Sequence, residues 1–296
     1  MLDLATLAAL HERCRDQAAL PVADFALGPH RFDFARQRYL MGVINLSPDS
    51  WYRESVALGT EAALRRARVL HAQGAAIIDL GAESSLEHTA RVAPDAQMER
   101  LVPVVGPLAR AGLCVSVETY HLDVAPAALK AGARAINFTG TVGTDELFRR
   151  VAEHDAGLIL CFVQGDNVRE VADLDLKADP IDLLHDYFAR QIDAATSAGV
   201  SRLWIDPGLG FYYRNLQDSE ARVRHQLRVF LNSFRLRALG WPICQALPHA
   251  FACFEEEVRT AEAFFAVPAL LGQASLLRTH EVAKVRGVLK TMEIGI

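Results

Sequence analysis

The stretch YLMGVINLSPDS (39–50) opens with a near-continuous apolar run, the strand candidate Tyr39–Asn45, and closes on Ser47, Asp49 and Ser50. A short apolar run without polar alternation reads as a strand buried on both faces, as in a parallel sheet covered by helices. The same design returns at Ala75–Glu83, Leu113–Tyr120, Arg134–Gly140, Gly157–Gln164, Arg202–Gly210, Pro242–His249 and Ser275–His280. Helical patterns lie between these runs at Glu61–Ala72, Ala96–Arg110, Asp145–Glu153, Pro180–Ala198, Ser219–Leu239, Phe254–Phe265 and Glu281–Met292. Strands alternating with helices in this way predict an α/β fold, a (β/α)8 TIM barrel, and the evenness of the repeat favours it over an open doubly wound sheet.

Ahead of the first strand, FALGPHRFDF (25–34) alternates around Gly28-Pro29, a hairpin signature placed to plug the N-terminal end of the barrel. The residues before it, MLDLATLAALHERCRDQ, read as an amphipathic helix with Leu4, Leu7, Leu10 and His11 on one face. The expected organisation is therefore an N-terminal helical extension, 1–24, followed by a barrel over 25–296.

Composition narrows the function. The 296 residues are 51% hydrophobic and carry 31 Lys and Arg against 36 Asp and Glu, a net charge of −5. This excludes a largely disordered chain and disfavours a nucleic-acid-binding surface. Five scattered cysteines, without a C-x-x-C pair, argue against a disulfide framework or a zinc ribbon. The start of the chain lacks the pattern of a signal peptide, and no apolar stretch approaches the roughly 20 residues of a membrane span. The expectation is a cytoplasmic protein, with buried cysteines acting as small hydrophobes.

Polar residues at the C-terminal ends of barrel strands converge on one mouth, where barrel enzymes keep their active sites. Here they are Asn45, Asp79, Glu83, Glu118, Asn137, Gln164, Asp206, Tyr212, His249, Arg278 and His280, with the aromatic Phe211 beside them. Singly, each has a structural reading: Asp79 orients neighbours, Asn137 caps a loop, Asp206 starts a turn before Pro207. Together they describe a binding mouth. Two acids, Glu118 and Asp206, with the amide of Asn137 suit a flat heterocycle presenting a donor–donor edge, such as a 2-aminopyrimidinone. Arg278 and His280 look like an anion clamp. Zinc ligands can be drawn from His121, His249, His280, Glu118 and Asp206, but no H-x-x-x-H or H-E-x-x-H spacing supports them. Mg²⁺ held by Asn45 and by a substrate diphosphate is the favoured metal reading.

Residues 25–50, FALGPHRFDFARQRYLMGVINLSPDS, resemble the start of bacterial dihydropteroate synthases. The likeness continues in order through GAAIIDLGAESS (74–85), VSVETY (115–120), AGARAINFTG (131–140), QGDNVREV (164–171), IDPGLGF (205–211) and RTHE (278–281). It implies a pterin-binding barrel, usually a homodimer, that joins a hydroxymethyl-dihydropterin diphosphate to 4-aminobenzoate. Diphosphate leaves, and the amine attacks a cationic pterin methylene. By position, Asn45 matches the Mg²⁺ and diphosphate ligand, and Arg278 and His280 match the diphosphate clamp. Asn137 and Asp206 match pterin-binding residues, and Glu118 stands where the family has Asp. The resulting assignment makes Asn45, Asp206 and His249 catalytic. It gives Asp79, Glu118, Asn137, Gln164, Phe211, Tyr212, Arg278 and His280 to substrate.

The departures cluster on the pterin and aminobenzoate contacts. The loop G-E-S-T-R-P-G of the family reads AESSLEH (82–88), Tyr212 replaces a glycine, and the strand-7 motif S-R-K-S reads LPHA (247–250), with His249 in the Lys position. The expectation is a divergent transferase that binds a pterin-like diphosphate donor and alkylates an amine or other nucleophile. The alternatives are a pterin- or folate-binding barrel without synthase activity, and an ordinary dihydropteroate synthase of folate biosynthesis.

Overall fold

The structure is a computed structural model that describes residues 2–50, 52–84, 89–211 and 213–294. Two short helices, α1 (Leu4–Arg13) and α2 (Arg15–Ala18), precede a hairpin of β1 (Phe25–Leu27) and β2 (His30–Phe32). The barrel then runs β3 (Tyr39–Asn45), α3 (Thr60–Ala72), β4 (Ile77–Gly81), α4 (Pro94–Arg110), β5 (Val115–Thr119), α5 (Val124–Ala131), β6 (Ala135–Phe138) and α6 (Thr144–Glu153). It continues through β7 (Gly157–Cys161), α7 (Pro180–Ser197), β8 (Leu203–Asp206), α8 (Ser219–Asn232), β9 (Cys244–Ala246), α9 (Phe251–Phe254), α10 (Val258–Leu271), β10 (Leu276–Thr279) and α11 (Val282–Ile294).

Eight parallel strands form one sheet in the order β8-β7-β6-β5-β4-β3-β10-β9, and a parallel bridge between Ile205 and Ile243 joins its two edges. The expected (β/α)8 barrel is therefore the fold. All eight strands lie inside the segments expected from sequence, and β3 matches to the residue. The apolar runs overshoot the others because they continue into the buried starts of the βα loops. The helix α5 was not anticipated: it spans two turns, holds Pro126, and ends on Gly132 at φ +113, the left-handed stop that glycine favours. The segment read as a helix from Phe254 is broken by Glu255 at φ +47, and α10 begins at Val258.

The hairpin closes the N-terminal end. Phe25 and Phe32 meet the Trp204 ring at centroid distances of 4.5 and 5.4 Å, both edge-on, and Phe34 joins at 6.1 Å. Beneath them, Met41, Ile77, Cys114, Ala135, Ile159, Cys244 and Leu276 complete a separate apolar cluster. The main core lies between the sheet and the helices. The helix α1 buries none of its residues; Leu4 is 84% exposed, while Leu7 and Leu10 are half-buried. Among the described residues no helix is long and apolar enough to cross a membrane.

Candidate active site at the barrel mouth

Inward positions alternate along each strand, so the residues two or four places beyond the apolar plug face the other end of the barrel. That geometry brings Asn45, Glu118, Asn137, Cys161, Asp206 and Arg278 to the wall of one cavity, partly open to solvent. Phe211, His249 and His280 line it from the loops above. Asp79 lies beneath, fully buried.

Arg278 ties the floor together. Its Nε donates to Asp79 Oδ2 at 2.7 Å and its Nη2 donates to Glu118 Oε2. Asn137 Nδ2 donates to the same Asp79 oxygen at 3.1 Å. Burial works against the guanidinium charge, but the Glu118 and Asp79 carboxylates outweigh it and hold Arg278 protonated. Glu118 is pushed up by burial, with Arg278 opposing. Oδ1 of Asp79 and Oδ1 of Asn137 are buried acceptors without a hydrogen-bond partner among the described residues. Unsatisfied buried acceptors are rare in folded proteins, and Asn137 lines the cavity, where a donor-bearing ligand can reach it.

Asp206 ends β8 and turns the chain. Its Oδ1 accepts from the Gly208 N–H at 2.8 Å, so the turn reading of this residue holds alongside any contact with a ligand. Gly208 sits at φ +74, and a Cβ there would lie 2.2 Å from the Phe162 carbonyl oxygen, which only glycine avoids. Burial pushes the Asp206 carboxyl up to about 6, against the pull of the Gly208 N–H and Arg278. The Cys161 and Cys244 thiols are pushed well up by burial and remain protonated.

Asn45 is oriented by its neighbours. Its Nδ2 donates to Ser55 Oγ at 2.6 Å, and Ser55 Oγ donates to the Tyr52 carbonyl at 2.7 Å. The amide oxygen therefore turns over Gly81, where a Cβ would lie 3.6 Å from both Asn45 Oδ1 and Glu118 Oε2. Asn45 thus offers a fixed amide oxygen, a donor of the kind hard cations take, while Glu118 Oε2 is already engaged by Arg278.

His249 and His280 meet on a residue that strand-end reasoning did not find. Glu262, on α10 and fully buried, places Oε1 2.7 Å from His249 Nε2 and 2.7 Å from His280 Nδ1. Burial works against its charge, but the two imidazoles outweigh it and hold the Glu262 carboxyl well below the usual carboxylate range. His249 itself is pushed down by burial, with Glu262 opposing. A lone acid inside a helical pattern gives no spacing signal, and only the packing of α10 against β10 reveals it.

One further residue, Arg169, was missed. Arg169, buried in the loop after β7, donates to Glu83 Oε1, the Ser84 carbonyl and Thr89 Oγ1 from Nη1, and to the Thr89 carbonyl from Nη2. It thereby clasps both flanks of the loop after β4. Gln97 Nε2 and the Tyr120 hydroxyl also donate to Glu83. The arginine stands within QGDNVREV, the signal that was available. Gln164 is not among the residues lining the cavity; its carbonyl accepts from the Ala172 N–H. Tyr212 and the loop residues 85–88 lie outside the described residues.

With this geometry in hand, residues 41–280 match the family described as pterin binding enzyme. The chain is 29% identical over 222 residues to a dihydropteroate synthase of Synechocystis, covering 73% of each chain. It is 31% identical over 208 residues to that of Streptococcus pyogenes serotype M3, covering 69% of this chain and 72% of the relative. A dihydropteroate synthase of Thermus thermophilus, solved in complex with 4-aminobenzoate, superposes with a TM-score of 0.76 at 26% identity, over 93% of this chain and 100% of that one. A cavity over a charged floor at the mouth of a (β/α)8 barrel, and a family match across most of the chain, agree: this protein belongs to the pterin-binding enzymes and is similar to dihydropteroate synthases.

Proposed function

We propose that the chain is a transferase that binds a pterin-like diphosphate donor, expels diphosphate and alkylates a nucleophile other than 4-aminobenzoate. The observation that carries this reading is the floor, where Arg278 organises Asp79 and Glu118 while Asn137 Oδ1 and Asp79 Oδ1 keep unused acceptor capacity. An aminopyrimidinone edge offers N–H donors to such acceptors, and Asp206 accepts a further one. The acids also stabilise a cationic methylene as diphosphate departs, because a fixed charge in a dry site needs no reorganisation. Asn45 Oδ1 would hold a Mg²⁺ ion, which would supply charge neutralisation for the leaving diphosphate; His280 and Arg278 line the same cavity.

The acceptor half supports divergence. Where the family carries a lysine, His249 is buried on Glu262 and held toward the neutral form, so it brings no ammonium to the heterocycle. The homodimer that the resemblance implies is supported by Phe264, Leu271 and Met292, exposed on the packed helices α10 and α11, and light scattering tests it. For the reaction, the test is calorimetric titration with the dihydropterin diphosphate, then diphosphate release with 4-aminobenzoate and with a panel of amines. The expected result is donor binding with weak 4-aminobenzoate turnover. Failure to bind the donor overturns the reading, and full turnover with 4-aminobenzoate makes the protein an ordinary dihydropteroate synthase.

A further inference from the structure

We infer that His249, Glu262 and His280 form a binding site for a divalent transition ion of the zinc class. It is separate from the Mg²⁺ that a diphosphate brings to Asn45. One donor atom from each of His249, Glu262 and His280 lies within 4.8 Å of the other two. Two imidazole nitrogens and one carboxylate oxygen are the donor set of open zinc sites, and they are too soft a set for Mg²⁺ to prefer. The three come from the loop after β9, from α10 and from the end of β10. That distribution is why no sequence spacing announces them.

The carboxylate is already oriented for this task. Glu262 Oε2 accepts from the His280 N–H at 2.9 Å, the Glu281 N–H at 3.1 Å and the Thr279 hydroxyl. With one oxygen held by three donors, the other is presented to both imidazoles, and outer contacts of this kind fix metal ligands in place. The rings are held too: Tyr52 stacks on His280 at 4.4 Å and lies 5.1 Å from His249. Among the described residues the hydrogen-bond and ion-pair partners of Glu262 are His249, Thr279, His280 and Glu281, with no Lys or Arg. A buried carboxylate without a permanent cation beside it is where a metal ion repays the cost of burial. Bonds of about 2.0–2.2 Å to all three donors require each N···O separation of 2.7 Å to open by roughly half an ångström. Both imidazoles line the cavity, so an ion held there sits at its wall, where an anionic oxygen of substrate or a water completes its shell.

The site rests on these side chains and not on the identity of the donor, so it is tested without substrate. Protein purified without chelator is assayed for metals by mass spectrometry. The chelator-stripped protein is then titrated with Co²⁺, read by its visible d–d bands, and with Zn²⁺ in competition. The expected result is one equivalent of ion per chain, undisturbed by excess Mg²⁺. It is lost in Glu262→Gln and His249→Ala, and weakened about 10–100-fold in Thr279→Val, which removes only an outer contact. Circular dichroism confirms that the variants are folded. Because the titration of the unaltered protein stands by itself, a misfolded variant does not rescue the inference. Absence of d–d bands and of bound Zn²⁺ in that protein overturns it, as does full binding in folded Glu262→Gln.

Discussion

Trp204 and Asp206 are two residues apart on β8, both fully inside the barrel, and they serve opposite ends of it. Around Trp204 the hairpin rings Phe25, Phe32 and Phe34 and the first inward residues of the strands fill the interior with apolar contact. Around Asp206 the interior holds carboxylates, an amide and a guanidinium, with acceptors left over. One end is stabilised by burial of apolar surface, which is non-directional. The other depends on one cation shared by two acids, where a single deletion exposes the cost of buried charge. The barrel thus keeps a tolerant floor of contacts below and a brittle, specific one above, and chemistry occupies the brittle end.

The sharpest way to break this contrast is to truncate both ends. Arg278→Ala strands Asp79 and Glu118 and should cost about 3–5 kcal/mol, the range for breaking a buried ion pair from one side. Trp204→Ala should cost a similar amount, about 3–5 kcal/mol, by cavity formation. Urea unfolding measures both, and only the Arg278 variant should also lose affinity for the pterin diphosphate. A loss below 1 kcal/mol in Arg278→Ala, or equal loss of affinity in both variants, would remove the distinction.

Asp206 sharpens it through pH. Its carboxyl is raised to about 6 in the fold from an ordinary 3.8. The folded state therefore holds its proton more tightly than the unfolded chain. The stability this gives is complete below about pH 4 and is lost as the pH rises through 6. Asp206→Asn removes that dependence, and at pH 8 the variant should be more stable by about 3 kcal/mol, the equivalent of some two pKa units. Thermal unfolding of both proteins between pH 4 and 8 checks it, with curves that converge at the acid end. Parallel curves would contradict a raised carboxyl.

Arg169 tests the rim. Arg169→Ala removes charge-assisted bonds to Glu83 and the Thr89 carbonyl and should cost about 2–3 kcal/mol. Urea unfolding measures that loss, and an unchanged midpoint would show that the clasp adds nothing to stability. The smallest effect lies on β9. Gln245 is fully buried, and neither of its amide atoms has a partner among the described residues. Gln245→Met keeps the shape and removes the unsatisfied groups, so it should gain about 1–2 kcal/mol, read as a raised midpoint in urea. A loss would show that the amide is satisfied in solution.

Much of this was legible in the chain because strand periodicity places side chains without reference to tertiary detail. Asn45, Asp79, Glu118, Asn137, Asp206 and Arg278 fall on one side of their strands by alternation alone, and the closed sheet then has to bring them together. The hairpin was legible for the same reason, since Phe25, Phe32 and Phe34 flank a Gly-Pro turn. Glu262 was not, because its role comes from the rotation of α10 against β10, which no local pattern encodes. Arg169 was hidden by its loop, where reach rather than period decides the partner. Gln164 shows the converse: a polar residue just past a strand end, whose carbonyl is taken by a local turn.

The join between β8 and β9 is made by a single bridge, Ile205 to Ile243, and β9 is only three residues long. In mechanical terms the barrel is a hoop with one narrow weld, and the strip beside that weld carries Ala246 to Ala250, including His249. Opening free energies follow the number of contacts that must break, and on its β8 side this strip is held by fewer sheet bonds than the joins between the other strands. One of the segments that depart from the family, LPHA (247–250), thus lies beside the narrowest join of the sheet. A new acceptor can be accommodated there by remodelling one short strand and its loop, while the hydrogen-bonded remainder of the hoop, and the donor half it carries, stays as it is.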